Sequence, residues 1–456
     1  MKYLIFTLAA LGVLPASVLL MYSRRLLWLM PLVILPTLLL FDNTAINFFS
    51  HELYRGTSRG MEVSLVYLVS LAMLGALLLR HSRLNPFPYC GLTIYVVYFL
   101  LCLPSVLNAD NKLFAFFEIW KMTMIYLVGL TVYHYLAFTR GDTRALYAAL
   151  ALITVLIFLS CIWQHVTGYY QIRSYFPHQN SLAMFMSPLG TLFLSRFLNE
   201  RHRRTSLLAL LLCAFASATL FRTYSRGAIA CYPIGCAITA CASITLNWKA
   251  WKLVRLSALA AIALCGIAVM TPRIVERFIH APESSAGTRV RLATVALNMI
   301  EDNPIFGVGI NNWGLKVNPP YPYAILNDDA ATAFSRGEDV KDGIVETIYL
   351  LTAAECGLPA LAALLTLFLS HAWLAVTACR PLRHTPQFFW APGLLGGFIA
   401  IYLQSVLEWV LKQQVNFIEL IIFFSVIGYL KKNAKRLQTP PSAPSPSTPA
   451  TEAATS

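Results

Sequence analysis

The sequence predicts an all-α polytopic membrane protein with about 12–13 transmembrane helices and one long extracytoplasmic loop that contains a short helix. Of its 456 residues, 57% are hydrophobic and only 12% are charged, whereas soluble domains carry about a quarter charged residues. The mean hydropathy is +0.62. Several stretches approach the roughly 20 apolar residues that cross a bilayer core, and lysine and arginine gather in the short connections between them.

The apolar runs set the expected spans. The first run follows Lys2 and precedes Arg24 and Arg25, and because further spans follow it without a clear cleavage site, it is interpreted as a retained helix. The expected segments are 3–22, 26–41, 62–80, 90–106, 113–137, 146–166, 181–198, 206–221, 227–246, 254–270, 346–377, 391–411 and 415–430.

The distribution of basic residues predicts the orientation. Basic residues fall in alternate loops, and the positive-inside rule assigns that side to the cytoplasm. The net charge of +14 therefore indicates cytoplasmic anchoring at membrane lipids, with no nucleic-acid partner. Three regions follow: N-terminal helices (1–145), a transmembrane domain (146–430) whose periplasmic loop spans 271–345, and a Pro-, Ser-, Thr- and Ala-rich cytoplasmic tail (431–456) that is expected to be disordered.

The long loop contains a segment with helical periodicity between Thr288 and Ile300. Its apolar stripe is expected at Val290, Ala293, Leu297 and Ile300. Pro304, Gly307 and Gly309 then end the helix in a turn-rich stretch. The cysteines form no CxxC pair and lie in or at the end of apolar runs, so they are expected to pack as small hydrophobic residues. No metal site and no cofactor are predicted.

Arginines on the outer side are exceptions to the positive-inside rule, and they mark the first candidate site. Arg222 and Arg226 occupy a very short outer loop, and the long loop carries four more. The planar arginine fork suits bidentate binding of phosphate oxygens. The alternative is that these side chains extend to lipid headgroups or pair with nearby glutamates. The arginines of the long loop are Arg273, Arg277, Arg289 and Arg291.

Other polar residues recur at outer helix starts. His178 and Asn180 open one helix, where Asn180 could bind substrate or serve only as the N-cap. Glu346 opens another, as a desolvated base or as an acid favoured by the helix dipole. Glu355 lies about two and a half turns further on, and it could be functional or could pair with a basic residue of another helix. Two carboxylates are instead interpreted as partners in local helix pairs: Glu118 with Lys121, and Glu408 with Lys412.

Four segments together resemble the bacterial O-antigen ligase and polysaccharide polymerase superfamily. The similarity covers about residues 160–430. Ser225-Arg226-Gly227 resembles its Ser-Arg-Gly signature, and the segment TRVRLATVALNMIEDNPIFGVGINNW resembles its periplasmic motif, in which Arg289 falls on the family arginine. The sequences FPHQNSLA and IYLLTAAECGLPAL resemble an upstream asparagine-bearing motif and a closing motif, respectively.

The resemblance implies a helical inner-membrane glycosyltransferase with its active site facing the periplasm. It implies transfer of a glycan from a polyprenyl diphosphate to lipid A-core or to a growing glycan, with Glu346, Arg226 and Arg289 as catalytic residues. Substrate-binding roles are expected for Arg222, Arg291, His178, Asn180 and Glu355. The arginines could stabilise the leaving diphosphate without a metal, and a single displacement would invert the anomeric centre.

One position departs from the family pattern. Family ligases carry His-Asn where this chain has Glu346-Thr347, and the histidine is regarded as the catalytic base. A desolvated glutamate could accept the hydroxyl proton, or the base could lie elsewhere, or activity could be lost. A transporter or flippase for an anionic solute is the rival function. Inverted repeats, which many transporters show, are not apparent in this sequence.

Overall fold

A computed structural model describes residues 2–438 apart from 52–53, 55, 82–84, 89–90, 170, 262–282, 319 and 324–342. Helices dominate the described chain, and the strands Ile46–Phe48 (β1) and Met61–Val63 (β2) pair as an antiparallel hairpin. The helices are α1 (Lys2–Tyr22), α2 (Arg24–Leu29), α3 (Pro31–Leu39), α4 (Phe41–Thr44), α5 (Leu65–His81), α6 (Leu92–Cys102), α7 (Lys112–Phe138), α8 (Arg144–Val166) and α9 (Gln179–Asn199). They continue with α10 (Arg203–Arg222), α11 (Arg226–Thr245), α12 (Glu283–Asp302), α13 (Trp313–Lys316), α14 (Ile348–Leu382), α15 (Trp390–Gln404), α16 (Gln414–Lys432) and α17 (Ala434–Gln438). Residues 250–261 are also helical.

The predicted all-α polytopic fold is confirmed. Among the described residues, seven helices are long and apolar enough to cross a membrane: α7 to α11, α14 and α16. Three shorter apolar helices accompany them, over Leu65–Arg80, Leu92–Asn108 and Trp390–Gln404. The segment expected at 26–41 is a pair of short helices, α2 and α3, bent by 111° from α1. Parts of the expected 254–270 span, together with Arg273, Arg277 and the tail after residue 438, lie outside the described residues.

Small residues let three helices approach closely in the centre of the bundle. Helix α11 packs along α15, where a Cβ on Gly235 would lie 2.6 Å from the Gly396 carbonyl oxygen. Helix α15 in turn crosses α9, where a Cβ on Gly393 would lie 2.8 Å from the Leu192 Cα. Close backbone contact at glycine is a common basis of helix association in membranes. It holds α9, α11 and α15 beside one another.

The predicted loop helix exists as α12; its predicted apolar stripe was wrong at Val290 and Leu297, whereas Ile300 packs against the buried cluster of this helix. Val290 and Leu297 are 68% and 55% exposed. The buried face instead packs on α14 through Leu292, Val295, Ala296 and Met299. Both sets have helical spacing, so periodicity alone does not choose between them. The side of α12 that carries Arg289 is the side that meets α14, because Arg289 lies one turn before Leu292.

The turn after α12 fastens this helix to the membrane domain. The Val308 and Gly309 amides donate to the carbonyls of Ala354 and Glu355 at 2.8 and 3.0 Å. Helix α14 is kinked there, because Gly357 adopts φ 83°. A Cβ on Gly307, which itself has φ 66°, would lie 2.4 Å from the Glu355 carbonyl carbon. The first glycine of the Gly-x-Gly motif is therefore needed for close backbone contact.

Candidate functional site

Two carboxyl groups meet where α14 begins and α15 ends. Glu346 lies two residues before α14, and Glu408 lies in the connection between α15 and α16. The Ile348 amide and the Thr347 hydroxyl both donate to the Ser405 carbonyl at 3.3 Å, which ties the two segments together. As a result, the carboxyl of Glu346 hydrogen-bonds to that of Glu408.

Arg289 contacts both carboxyls from α12. Its Nη2 lies 3.6 Å from Glu346 Oε2 and 3.8 Å from Glu408 Oε1. The side chains of Arg289 and Glu346 are 36% and 37% exposed, whereas Glu408 is only 5% exposed. The Arg289 Nε is buried and has no hydrogen-bond partner among the described residues. The guanidinium therefore retains a donor that a bound ligand could use.

Asn180 completes this group, which we name the open cluster: Asn180, Arg289, Glu346 and Glu408. The Asn180 Nδ2 donates to Glu408 Oε1 at 2.7 Å. Asn180 is not the N-cap of α9, so the alternative role predicted for it from the sequence was wrong. That position belongs to His178, whose Nδ1 accepts from the Asn180 backbone amide at 3.2 Å. The Asn180 side chain is consequently available to hold Glu408.

The environment of Glu408 favours its protonated form. Burial, and then the negative charge of Glu346, raise the pKa of Glu408 to about 8, although Arg289 and the Asn180 amide oppose the rise. At neutral pH Glu408 is therefore mostly protonated and can donate a hydrogen bond to Glu346. Two adjacent carboxyls that differ in protonation are a common arrangement for acid–base chemistry.

The start of α11 places Arg226 next to the segment that leads to Glu408. A Cβ on Gly227 would lie 3.5 Å from Gln404 Cγ and 3.6 Å from Leu407 Cδ1. Arg226 is partly exposed, and within the described residues it has no ion pair or hydrogen bond from its guanidinium. The buried Ser225 Oγ and Gln404 Nε2 are also unpartnered in that part of the chain. Unpaired buried polar groups are costly, and a polar ligand would satisfy them.

The remaining predicted site arginines lie apart from the open cluster's contacts. Arg222 hydrogen-bonds to His165 Nδ1 and lies 6.0 Å from the centroid of the Tyr224 ring. Arg291 follows Arg289 by two residues, which turns it roughly 200° around α12. The structure therefore brings Arg289, Glu346 and Asn180 together. His178 lies two residues before Asn180, and Arg226 precedes Gly227, which faces Gln404 and Leu407.

Glu355 belongs to a different group of charges. It is fully buried, and its Oε2 lies 2.9 Å from Lys412 Nζ. Lys121 Nζ donates to the Lys412 carbonyl at 3.2 Å and lies 2.6 Å from Glu118 Oε2. We name Glu118, Lys121, Glu355 and Lys412 the buried network. The local pair of Glu118 with Lys121 is confirmed. The local pair of Glu408 with Lys412 was wrong, because a 3₁₀ turn at Val410–Lys412 directs the two side chains to different partners.

Sequence reasoning missed Glu408 as a site residue. The spacing of Glu408 and Lys412 matches a helical ion pair, which hid both partners. A usable signal was present in the polar run Lys412-Gln413-Gln414, which separates the two apolar segments and marks a turn at the membrane boundary. In the part of the chain that the structure describes, no three His, Cys, Asp or Glu residues are grouped as a metal site.

A comparison with known protein families finds one family model that is similar to part of this chain. Residues 208–365 match the family model described as O-antigen ligase. This match over part of the chain supports similarity to the O-antigen ligase superfamily and a membrane glycosyltransferase-like role in polysaccharide assembly. The match includes Arg226, Arg289 and Glu346 but ends before Glu408 and begins after Asn180, so two members of the open cluster lie outside it. No curated protein matches the chain.

Proposed function

We propose that this O-antigen ligase-type protein transfers a glycan from a polyprenyl diphosphate to a sugar hydroxyl, with the open cluster as its catalytic centre. The observation that carries the proposal is the paired carboxyls of Glu346 and Glu408 beside Arg289, whose Nε has no hydrogen-bond partner among the described residues. The pair supplies a proton acceptor, and the arginines supply positive charge for a diphosphate.

The proposed reaction is a single displacement. The acceptor oxygen attacks the anomeric carbon and forms the new glycosidic bond, while the bond from that carbon to the diphosphate oxygen breaks. The electron pair of the broken bond leaves on the diphosphate, and the hydroxyl proton passes to the carboxylate base. Attack from the face opposite the leaving group inverts the anomeric configuration. These steps need no metal ion if arginines stabilise the leaving diphosphate.

Glu346 is the proposed base, and Glu408 is its positioning residue. Glu346 is 37% exposed and can meet an acceptor, whereas Glu408 is 5% exposed. Because burial favours the protonated Glu408, this residue donates to Glu346 and leaves it as the member that accepts a proton. A carboxylate then serves where related ligases carry histidine.

Arg226 and Arg289 are proposed to bind the diphosphate. Arg226 begins α11, where the first backbone amides and the helix dipole also favour an anion. Its guanidinium has no ion partner among the described residues. Arg289 already neutralises the carboxyl pair, so it can hold the diphosphate and the base in one arrangement. Lipid A-core and a growing glycan remain the two candidate acceptors.

A deletion strain tests the proposed function directly. Loss of the protein should remove a polymeric glycan either from lipopolysaccharide or from secreted polysaccharide, and gel analysis of both fractions assigns the acceptor. The purified protein should then form that product from the isolated lipid-linked donor. Unchanged glycans in both fractions of the deletion strain would contradict the proposal.

The proposed periplasmic location can be tested on an exposed position of α12. Thr294 is exposed on that helix, so Thr294→Cys should react with a membrane-impermeant maleimide in intact spheroplasts. The unmodified protein, treated in the same way, is the control for the natural cysteines. Reaction only after permeabilisation would place α12 and the open cluster on the cytoplasmic side.

A further inference from the structure

A polar cavity lies at the opposite end of the helices that carry Asn180 and lead to Glu408. Helix α9 runs from Asn180 to a cavity near Asn199, and α15 runs from the same cavity near Phe389 to Ser405. The cavity has a volume of about 550 Å³, which is within the range of about 300–1,000 Å³ that small-ligand sites occupy. We name it the basic pocket. Its lining residues are Arg196, Asn199, Glu200, Arg201, Asn247, Lys249, Trp251, Arg383, His384, Thr385, Pro386, Phe388 and Phe389.

Two cations at or beside the basic pocket are held by fixed contacts: Arg196, which lines it, and Lys252, which donates to its lining residue Asn199. Arg196 lies 4.4 Å from the centroid of the Phe389 ring and 2.5 Å from Glu200 Oε2. The fully buried Lys252 donates to Asn199 Oδ1 at 2.6 Å and to the Ser243 carbonyl at 2.8 Å. Glu200 is the one carboxylate among the lining residues, and Arg196 already neutralises it. No carboxylate among the lining residues therefore remains to pair with the other cations of the pocket.

Three outer cations remain without a negative partner. Arg201, Lys249 and Arg383 line the mouth, are exposed, and form no ion pair with any described residue. Burial, followed by the positive charges of Lys249 and Arg383, lowers the pKa of Lys252 to about 8. This mutual repulsion among the cations would be relieved by a bound anion.

We propose that the basic pocket binds a phosphate-bearing anion, either the headgroup of an anionic phospholipid or a phosphate free in solution. Basic residues spread over a membrane face need only attract lipids generally. Here the cations surround a cavity that Trp251, Phe388 and Phe389 also line, and basic pockets between transmembrane helices are typical headgroup sites. The proposal does not depend on the proposed transferase activity, because it concerns the other end of the bundle.

The test removes the unpaired cations and compares lipid retention. The full-length protein, its Lys249→Gln/Arg383→Gln variant and the control Arg25→Gln/Lys432→Gln are reconstituted in nanodiscs of phosphatidylcholine and phosphatidylglycerol. The control removes the same charge from exposed residues outside the pocket. Native mass spectrometry then measures retained phosphatidylglycerol. In parallel, inorganic phosphate is titrated into each detergent-solubilised protein, and the Tm is recorded.

Each outcome decides the proposal. Loss of two charged donors should reduce phosphatidylglycerol retention roughly tenfold or more relative to the wild type and the control, which identifies a headgroup. A rise in Tm with inorganic phosphate that occurs in the wild type and the control, but not in the pocket variant, identifies free phosphate. Equal retention and equal phosphate response in all three proteins would overturn the proposal. All three must elute as single folded species, which the exposure of the altered residues favours.

Discussion

The open cluster and the buried network share two chain segments, yet they differ in charge balance and access. The start of α14 supplies Glu346 to the first and Glu355 to the second, and the turn before α16 supplies Glu408 and Lys412, respectively. In the buried network two acids face two lysines at 2.6 and 2.9 Å. In the open cluster two acids share one arginine at 3.6 and 3.8 Å.

This difference separates a structural ionic group from one suited to chemistry. The buried network is neutral in total and is closed by Thr57 and Ser58, which both donate to Glu118. The open cluster has a surplus acid, longer ion-pair distances and an Arg289 Nε that no described residue hydrogen-bonds. A neutral and saturated network fixes the position of α7 against α14, whereas an unsaturated group leaves acceptors and donors for a ligand. Substitutions in the two clusters should therefore affect different properties.

The largest effect is expected from removing the proposed base. Glu346→Gln should abolish glycan transfer, because an amide keeps the size of the side chain but cannot accept a proton. Glu346→His should retain activity, and Glu346→Asp should retain a little, since a shift of about 1 Å can cost roughly a hundredfold in rate. Transfer from purified lipid-linked donor is the measurement, with Tm as the control for folding.

If Glu346 only begins a helix, the dipole interaction is worth about 0.3–1 kcal/mol. The Glu346→Gln, Glu346→Asp and Glu346→His proteins would then all transfer glycan at nearly the wild-type rate. A fully active Glu346→Gln protein would exclude Glu346 as the base and direct attention to His178.

Substitutions in the buried network should lower the stability of the folded protein. Lys412→Met leaves Glu355 buried without a counterion, which should lower the free energy of unfolding by about 3–5 kcal/mol. The double variant Glu355→Leu/Lys412→Met should recover most of that loss, because replacing both partners by apolar groups is often nearly neutral. Thermal unfolding of the purified protein in detergent measures both.

Lys316→Met is the matched control for this substitution. Lys316 pairs with Asp110 at 2.6 Å, but the Asp110 side chain is 40% exposed, so the expected loss is at most about 1 kcal/mol. Equal Tm values for Lys412→Met and Lys316→Met would contradict a structural role for the buried network.

The proposed diphosphate ligands should show a smaller but specific loss of activity. Arg226→Ala and Arg289→Ala should each lower the transfer rate roughly a hundredfold or more, the effect of losing one donor to a developing oxyanion, at near-normal protein levels. Lysine should restore only part of the activity, because it lacks the bidentate fork. Arg173→Ala, an exposed arginine in the segment before α9, is the control. Near-normal product from both alanine variants would show that the two arginines only contact lipid headgroups.

The sequence predicted the fold well because the membrane imposes strong constraints. Apolar length and basic loops located α7 to α11, α14 and α16 within a few residues. Local motifs also located Arg226, Arg289, Glu346 and Asn180, since each lies at a helix start or in a recognisable segment. These are properties of short stretches of chain.

What could not be predicted depends on contacts between distant segments. Nothing local distinguishes the buried Leu292 face of α12 from the exposed Val290 face, because only packing on α14 selects one. Glu408 and Lys412 have the spacing of a helical pair, and a 3₁₀ turn redirects both. Glu355 acquires its counterion from a segment 57 residues away. A sequence pattern predicts contacts within one helix, but the partner of a charged side chain depends on which segment packs against that helix.

The smallest effect is expected from Glu408, and it concerns pH. Below about 8, Glu408 is protonated, so the carboxyl pair carries one negative charge that Arg289 balances. As pH rises through this value, the second charge repels the diphosphate and occupies Arg289. The wild-type kcat/KM should therefore fall above about pH 8. Glu408→Gln should match the wild type at pH 7 and show no such fall, because its amide donates to Glu346 at every pH.

Stability gives an independent check of the same group. The pKa of Glu408 is higher in the folded protein than its ordinary value of 4.5, so the folded state binds the additional proton. Folding stability should then decrease as pH rises from about 4.5 to about 8 and stay level above it. Glu408→Gln should remove this slope from the Tm measured against pH. If the wild type and Glu408→Gln show the same pH dependence of kcat/KM and of Tm, Glu408 does not titrate in this range. The proposed difference in protonation between Glu346 and Glu408 would then be contradicted.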